Sequence, residues 1–210
     1  MAGRREVRFG LAEMSARDWW FRLLARGGYR RLLVLERDLR KPTATRSQSL
    51  PCTVTLLRET DVERFIAFRQ VPNPALFLRR LRDGHSCYSA IVGGRIASVS
   101  WVATDSATLW NLNADFSLAA DEVYVYDSYT HPDFRGCRLQ AVLFRTLHDD
   151  LRGKGFRRAL TFVSPENRAN LRSRGRVGFS VCGIVRRFGL GPVHLFMPTG
   201  RCPDLRRHKA

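Results

Sequence analysis

Lysine, paired cysteines and long hydrophobic runs are all scarce in this 210-residue sequence. The five cysteines are scattered and form no C-x-x-C pair, which argues against a disulfide framework or a zinc site and favours a reducing, cytoplasmic compartment. We therefore expect no metal. No apolar run is long enough to span a bilayer, and charged residues interrupt the N-terminal stretch where a secretory signal would need an apolar core.

Acidic residues are also few, so this is a strongly basic protein. The formal net charge is +17, and only three of the 36 basic residues are lysines. Such a charge would suit an anionic partner, such as a phosphorylated cofactor, a nucleic acid, an anionic membrane or an acidic carrier protein. An arginine excess this one-sided also fits coding bias in a GC-rich genome. The charge alone does not choose between these interpretations.

The sequence has enough apolar residues, 44% of the total, for a packed core, and its length suits one domain or one domain with an appendage. The predicted parts are a basic N-terminal extension at 1–50, a helix within it at 15–26, a strand at 29–39, a linker at 41–51, a domain at 52–200 and a polar tail at 201–210. The helix at 15–26 has three interpretations: it packs on a sheet edge, it lies on an anionic membrane surface as a peripheral contact, or it forms a homodimer contact.

The domain that begins at residue 52 alternates strands and helices. Hydrophobic periodicity and turn residues predict the order β-α-α-β-β-β-α-β-α-β-β, with residues 104–119 left unassigned. This order predicts an α+β or α/β domain built on a mixed sheet.

One strand, turn and helix start together predict an anion site. The strand is Glu122–Thr130, and the helix begins near Gly136, where the free amides of the first turn and the helix dipole favour a negative charge. Arg135 and Arg138 flank these amides and offer charge-assisted hydrogen bonds to phosphate oxygens. Gly136 leaves room for a ligand to approach the backbone. The alternative is an ordinary helix start with two surface arginines.

The same segment resembles a known motif. The run HPDFRGCRLQAVL at 131–143 is similar to the acyl-CoA-binding pattern R/Q-x-x-G-x-G/A of the GNAT (Gcn5-related N-acetyltransferase) family. Arg135 takes the first position of the pattern. Arg138 stands where the family has glycine, and Gln140 stands where it has glycine or alanine.

A second block strengthens the resemblance. The run SPENRANL at 164–171, followed by Gly-Phe at 178–179, is similar to the family block N-x-x-A/S-x-x-x-Y-x-x-x-G-F. Asn167 takes the asparagine position and Asn170 the small polar position. Arg174 stands where many members have the tyrosine that protonates the departing thiolate.

The resemblance covers about residues 53–197 and implies both a fold and a reaction. The implied fold is a mixed, mostly antiparallel central sheet flanked by helices. The implied reaction is direct attack of a small-molecule or protein amine on the thioester of a co-substrate, acetyl-CoA or another acyl-CoA. The implied cofactor-binding residues are Ser128, Tyr129, Thr130, Arg135, Gly136, Cys137, Arg138, Leu139, Gln140, Ala141, Asn167, Asn170 and Arg174.

In the family the donor's arm lies beside the central strand where that strand bulges, and the base is often a Glu or Asp on the same strand. Glu122 and Asp127 are the candidates here. Side chains alternate along a strand, so these two face opposite sides unless a bulge intervenes. The alternatives are that Glu122 is a solvated strand start and that Asp127 is a buried, hydrogen-bonded aspartate.

The source of the proton for the thiolate is less defined. Arg174 cannot donate a proton at neutral pH, but its charge can stabilise a thiolate. Ser173, Tyr129 or a water is the candidate donor. Cys137 has no evident histidine partner and is interpreted as a spectator thiol.

Three alternatives to an acyl-CoA-dependent enzyme stay open. One is a non-catalytic domain of the same fold that binds CoA. Another is an enzyme that takes its acyl group from an acidic acyl-carrier protein, because residues 135–187 hold 13 basic and 3 acidic side chains. The third is a cationic nucleic-acid-binding protein. Only the charge supports it, because no helix-turn-helix, zinc finger or RNA-recognition signature is evident.

Overall fold

The computed structural model describes residues 28–43, 50–70, 74–190 and 193–208. The predicted helix at 15–26 and most of the predicted linker lie outside these ranges. The elements of the described part are β1 Arg30–Asp38, β2 Thr53–Leu57, α1 Val62–Arg69, α2 Ala75–Arg82, β3 Ser86–Val92, β4 Arg95–Ala103, β5 Ser106–Leu109, β6 Ala114–Ser117, β7 Glu122–Thr130, α3 Leu139–Gly153, β8 Arg158–Val163, α4 Arg168–Arg176, β9 Ser180–Leu190, β10 Val193–Gly200 and β11 Leu205–Arg207.

Eight strands form the main sheet, in the order β10-β9-β1-β8-β7-β4-β3-β2. Strands β7 and β8 pair in parallel, and the other neighbours pair antiparallel. This is the mixed, mostly antiparallel sheet that the sequence predicts. A second sheet, in the order β11-β6-β5, was not predicted: its hairpin lies in residues 104–119, and β11 comes from the segment predicted only as a polar tail.

Strand β1 lies inside the main sheet, between β8 and β9. Leu32, Val34 and Leu35 are buried there, so both faces of this strand contact the core. Arg37 is also buried, and its Nη2 donates to the backbone oxygen of Lys41 at 2.9 Å. The chain division predicted at residue 52 stays a prediction, but β1 is an interior strand rather than an appendage to the sheet edge.

Helix α3 covers one face of the sheet. Leu139, Leu143, Leu147 and Leu151 are buried and recur every four residues, which places them on one side of the helix. Each contributes about 2 kcal/mol through burial of its apolar surface. This packing fixes the start of α3 beside the end of β7, where the anion site is predicted.

Candidate active site

A cleft opens between β7 and β8 because the two strands pair only near their beginnings. Their register joins Glu122 with Arg158, Val123 with Ala159 and Tyr124 with Leu160. Among the described residues the pairing stops there. Beyond Tyr124 the edge of β7 that faces β8 therefore has backbone groups available to a ligand.

A β-bulge bends β7 at this cleft. Val99 pairs with Tyr129 and Trp101 with Tyr126, so two residues of β7, at 127–128, lie opposite Ser100 alone. Asp127 has a φ of +42°, in the left-handed region where aspartate is among the tolerated residues. The bulge that the family resemblance implies is thus present, at the end of β7 that leads into the predicted anion site.

Two arginines hold the carboxylate of Asp127. Arg69, at the end of α1, donates from Nη2 to Oδ1 at 3.1 Å, and Arg80, on α2, donates from Nη1 to Oδ2 at 2.6 Å. The guanidinium of Arg80 also lies 5.0 Å from the ring centroid of Tyr126. Asp127 therefore fastens both helices to the bulge; it is a hydrogen-bonded aspartate, but half-buried rather than buried.

Arg174 is a buried cation that borders the cleft. Its residue is 3% exposed, and its Nη2 donates to Ser128 Oγ at 2.9 Å. Its Nε and Nη1 have no hydrogen-bond partner within the described part of the chain. The guanidinium lies 4.5 Å from the ring centroid of Phe144, and desolvation lowers the pKa of Arg174 to about 10. A buried guanidinium with unused donors is suited to an anionic ligand.

Several predicted residues line one cavity of about 270 Å³ in this cleft. Asp127 and Ser128 contribute from β7, and Asn170 and Arg174 contribute from α4. The remaining lining includes Tyr124, Tyr126, Thr161, Phe162 and Trp110. The fold thus brings the bulge of β7 and the second sequence block, on α4, together around one space, whereas no residue of the first block at 131–143 lines it.

The predicted phosphate turn is exposed at the mouth of the cleft. Arg135, Gly136 and Arg138 are all solvent-exposed, and Arg135 Nε donates to the backbone oxygen of Thr130 at 3.4 Å. Helix α3 begins at Leu139, later than predicted, because Arg138 has a φ of +58°. A left-handed conformation costs a residue with a side chain about 1–2 kcal/mol, which explains glycine at this position of the family pattern.

The other predicted residues connect the elements around the turn. Ser173 Oγ donates to Gln140 Oε1 at 3.3 Å and so joins α4 to α3. Asn167 caps α4 by accepting from the backbone N–H of Asn170 at 3.0 Å. Ser98 Oγ donates to the backbone oxygen of Tyr129 and lies 2.9 Å from Thr130 Oγ1. Of the other predicted residues, Cys137 and Ala141 are half-buried and Leu139 is buried.

The structure does not bring Glu122 to the cleft. It begins β7, five residues before Asp127, so about 16 Å of extended strand separates the two. Arg158 Nη1 donates to its Oε1 at 2.5 Å, and Arg158 Nε donates to Glu36 at 2.8 Å. Glu122 is committed to this ion-pair network where β7 and β8 are joined, which corrects the expectation that it could face the cleft.

Sequence reasoning missed a histidine–tyrosine pair beside the cavity. His85 Nδ1 lies 2.5 Å from Tyr126 Oη, and Tyr126 is stacked on Tyr124 with ring centroids 4.9 Å apart. The spacing of Tyr124 and Tyr126 in β7 could have placed them on one face. Nothing near His85 in the sequence points to Tyr126, which lies 41 residues further along the chain.

Membrane-spanning helices and metal-binding clusters are both absent from the described residues. No helix of the described part is long and apolar enough to cross a bilayer. Within the described ranges, no three His, Cys, Asp or Glu side chains are grouped so that they could hold a metal ion.

No protein-family model and no curated protein matches the sequence, but solved structures do resemble the fold. A GNAT-family acetyltransferase structure from Novosphingobium aromaticivorans is 19% identical, with a TM-score of 0.50 over 76% of this chain and 65% of that one. AAC(6')-Iy, in complex with a bisubstrate analogue of CoA and acetylneamine, is 15% identical, with a TM-score of 0.50 over 62% of this chain and 91% of that one. A conserved protein of unknown function from Staphylococcus epidermidis is 7% identical, with a TM-score of 0.51 over 83% of this chain and 67% of that one.

These similarities show that the chain has the GNAT fold, as the two sequence blocks predict. The chain spans 65% of the length of the Novosphingobium protein. At such low identities the shared property is the fold, and the reaction has to be argued from the cleft itself.

Proposed function

We propose that this protein is an N-acyltransferase that moves an acyl group from an acyl-CoA, with acetyl-CoA as the first donor to test, to an amine. The observation that carries the proposal is the cleft between β7 and β8, where the bulge at Asp127 meets the buried cation of Arg174. The GNAT fold supports it, because the cleft lies between the two sequence blocks that resemble the acyl-CoA-binding motifs of that family.

The donor would lie along the open edge of β7 with its phosphates at the start of α3. The first-turn amides and the helix dipole favour a pyrophosphate there, and Arg135 and Arg138 add exposed positive charge. The backbone of residues 128–130 offers hydrogen bonds to the arm. The family glycines are replaced in this turn, so side chains supply part of the phosphate contact that backbone amides supply elsewhere.

In the proposed reaction the amine nitrogen attacks the thioester carbon, the C–N bond forms and the C–S bond breaks. The sulfur leaves with the bonding pair, so negative charge develops on it. Arg174 stabilises that charge from a desolvated position, where electrostatic interactions are strong. The thiolate then takes a proton from solvent. The Ser173 hydroxyl, one of the candidate donors, donates its hydrogen bond to Gln140, which favours the electrostatic role of Arg174.

The acceptor side supports a small amine or a single projecting amine group of a protein. The cleft cavity measures about 270 Å³, and a neighbouring cavity of about 220 Å³ shares Tyr126 with it. AAC(6')-Iy, a protein of the same fold, binds a bisubstrate analogue that joins CoA to acetylneamine. An acidic acyl-carrier protein as donor, a homodimer and a peripheral membrane contact stay predictions.

Donor binding is tested by thermal unfolding with and without acetyl-CoA. A ligand at 100 times its Kd stabilises a protein by about 2.7 kcal/mol, which a melting experiment resolves. We expect acetyl-CoA to raise the Tm of the wild-type chain, and the double variant Arg135→Ala/Arg138→Ala to lose most of that rise. The matched control is Arg145→Ala/Arg152→Ala, which removes two exposed arginines further along α3 and should keep the rise.

Turnover is tested by thiol release from acetyl-CoA over a panel of amines. Release that depends on the amine supports the acyltransferase. A Tm rise with acyl-CoA but no release over the panel would favour a non-catalytic CoA-binding domain. The absence of a Tm rise with every acyl-CoA from two to twelve carbons overturns both.

A further inference from the structure

The pair of His85 and Tyr126 lies where the cleft cavity meets its neighbour. Tyr126 lines both cavities, and His85 lines the neighbouring one of about 220 Å³. Tyr126 therefore lies where the two cavities meet, one residue before the bulge at Asp127, and its hydroxyl is held by His85.

The contacts of His85 orient its ring towards Tyr126. Its Nδ1 lies 2.5 Å from Tyr126 Oη, and the backbone of Ser106 favours the protonated ring. The proton path requires the tautomer whose N–H is on the other ring nitrogen, so that the Nδ1 lone pair of neutral His85 accepts from the Tyr126 hydroxyl.

The surroundings keep both groups in the state that such a chain of hydrogen bonds needs. Burial lowers the pKa of His85 below its usual value, with Arg80 adding to the effect and Asp83 opposing it. Burial raises the pKa of Tyr126, so the hydroxyl keeps its proton at neutral pH. The guanidinium of Arg80 lies 5.0 Å from the Tyr126 ring centroid and would stabilise transient negative charge on it.

His85 also borders a third cavity, of about 710 Å³, which is lined in part by β2, β3 and α3. The titratable and charged groups around that cavity are Arg58, Asp61, Tyr88 and Asp150.

The rival for the role of base is Asp127. Both of its oxygens accept from guanidinium groups, one from Arg69 and one from Arg80. Both of its oxygens are thus occupied by guanidinium donors, whereas Nδ1 of His85 faces the hydroxyl of Tyr126.

We infer that Tyr126 and His85 form the proton path of this site: the amine gives its proton to Tyr126 Oη while the Tyr126 hydroxyl proton passes to His85 Nδ1. The inference rests on the proposed acyltransferase function. As the amine nitrogen bonds to the thioester carbon and the sulfur departs as thiolate, the amine proton is thus stored on His85 as imidazolium. His85 returns it to water, and a water protonates the thiolate, so the products are the amide and the free thiol.

The test compares His85→Gln, Tyr126→Phe and the double variant, using acetyl-CoA and an amine that the wild-type chain acylates. His85→Gln can still accept the tyrosine hydrogen bond but takes up no proton. We expect each single variant to lower kcat about 100-fold, the scale of general base catalysis. The double variant should lose no more than about threefold beyond either single variant, because the two groups act as one unit. The acetyl-CoA-induced Tm rise should be kept in all three.

The pH profile separates a proton path from a structural role. Wild-type kcat should fall on the acid side with a midpoint below the usual histidine value of about 6.5, and His85→Gln should lose that limb. Tyr88→Phe is the matched control, since it removes a buried tyrosine hydroxyl that bonds Asp150 on the neighbouring helix α3 and should leave kcat unchanged.

Two results overturn the inference alone, with donor binding and wild-type turnover intact. One is a His85→Gln variant that keeps its kcat and its acid limb, and the other is a double variant whose losses multiply. If His85→Gln does not fold, an unchanged kcat in Tyr126→Phe overturns the proton path in its place. A wild-type chain that binds no acyl-CoA and releases no thiol overturns the proposed function, and the proton path with it.

Discussion

The two ends of strand β7 differ in how their charged side chains are paired. At its beginning, where β8 pairs with it, Glu122 and Glu36 share the guanidinium of Arg158 as their opposite charge. At its far end β8 has diverged, and Arg174 lies buried against Ser128 with two unused donors in the described part of the chain. The paired end stabilises the sheet, and the open end keeps backbone and charge available for a ligand.

A second buried arginine shows that burial alone does not make a site. Arg37 is 6% exposed, close to the 3% of Arg174, but its Nη2 donates both to the backbone oxygen of Lys41 and to Thr43 Oγ1. Arg37 packs against Gly178, where a Cβ atom would lie 1.8 Å from its Nη1. It fills its space, whereas Arg174 borders a cavity. The difference separates a structural cation from a candidate functional one.

Arg174→Met should break the contrast most strongly. It keeps an unbranched side chain, shorter than that of arginine, but removes the charge, so we expect kcat to fall about 100- to 1000-fold, the scale found when an electrostatic stabiliser is removed. Because the charge is buried without a carboxylate partner, stability at pH 7 should stay equal or rise by about 1 kcal/mol. Single-turnover thiol release and urea unfolding measure the two effects.

Arg176→Met, at the exposed end of the same helix, is the control for Arg174→Met and should change neither quantity. Full activity in Arg174→Met would show that the reaction does not need the buried cation at the open end of β7.

Asp127→Asn should weaken the contacts that hold helices α1 and α2 to the bulge at the open end of β7. The substitution keeps the shape but leaves Arg69 and Arg80 without their carboxylate, so we expect a loss of about 2 kcal/mol, the scale of hydrogen bonds to charged groups. The acetyl-CoA-induced Tm rise should shrink, because the bulge loses its anchor. Asp133→Asn, whose carboxylate is 60% exposed, should cost less than about 0.5 kcal/mol in the same unfolding measurements.

Local sequence patterns predict one side of this comparison better than the other. The aromatic and β-branched run of β7 is contiguous in the chain, and so is the turn that follows it, although the helix after the turn begins at Leu139 rather than near Gly136. The predicted strand Glu122–Thr130 has the bounds that the structure gives it. Short-range periodicity is enough for such elements.

The features that were missed depend on contacts between distant segments. Strand β1 pairs with β8 and β9, at least 120 residues further along the chain, and β11 pairs with β6 across roughly 90 residues. The bulge at Asp127 depends on the pairing of β7 with β4. The position of the base candidate Glu122 depends on its ion pair with Arg158, 36 residues further along the chain. His85 reaches Tyr126 only once β3 and β7 lie on either side of β4. No local pattern in the sequence carries this information.

The pH dependence of stability should sharpen the contrast between buried groups. Burial lowers the pKa of His148 to about 3, with the cations Arg37 and Arg174 adding to the effect. Below about pH 6.5 His148 therefore binds a proton in the unfolded chain but not in the folded chain, so the free energy of unfolding falls as pH falls towards 3.

The expected slope of that fall is about 1.4 kcal/mol per pH unit from this one group. Urea unfolding between pH 4 and pH 7 measures it. His148→Asn should be less stable at pH 7 but show a shallower slope, and Arg174→Met should also make the slope shallower by removing one of the cations. An unchanged slope in His148→Asn would assign the pH dependence to carboxylates instead.

Arg158→Met should give the smallest effect and the opposite signature to Arg174→Met. Its guanidinium is 26% exposed and serves Glu122 and Glu36 together, so its loss leaves two partly buried carboxylates without their shared cation. We expect stability to fall by about 1 kcal/mol, above the range of a fully exposed pair but below that of a deeply buried one.

Acetyl-CoA should raise the Tm of Arg158→Met as much as that of the wild type, and kcat should not change, because the paired end contributes nothing to the cleft. If Arg158→Met stayed folded but lost the response to acetyl-CoA, charge at the joined end of β7 would reach the site, and the two ends could not be treated as separate.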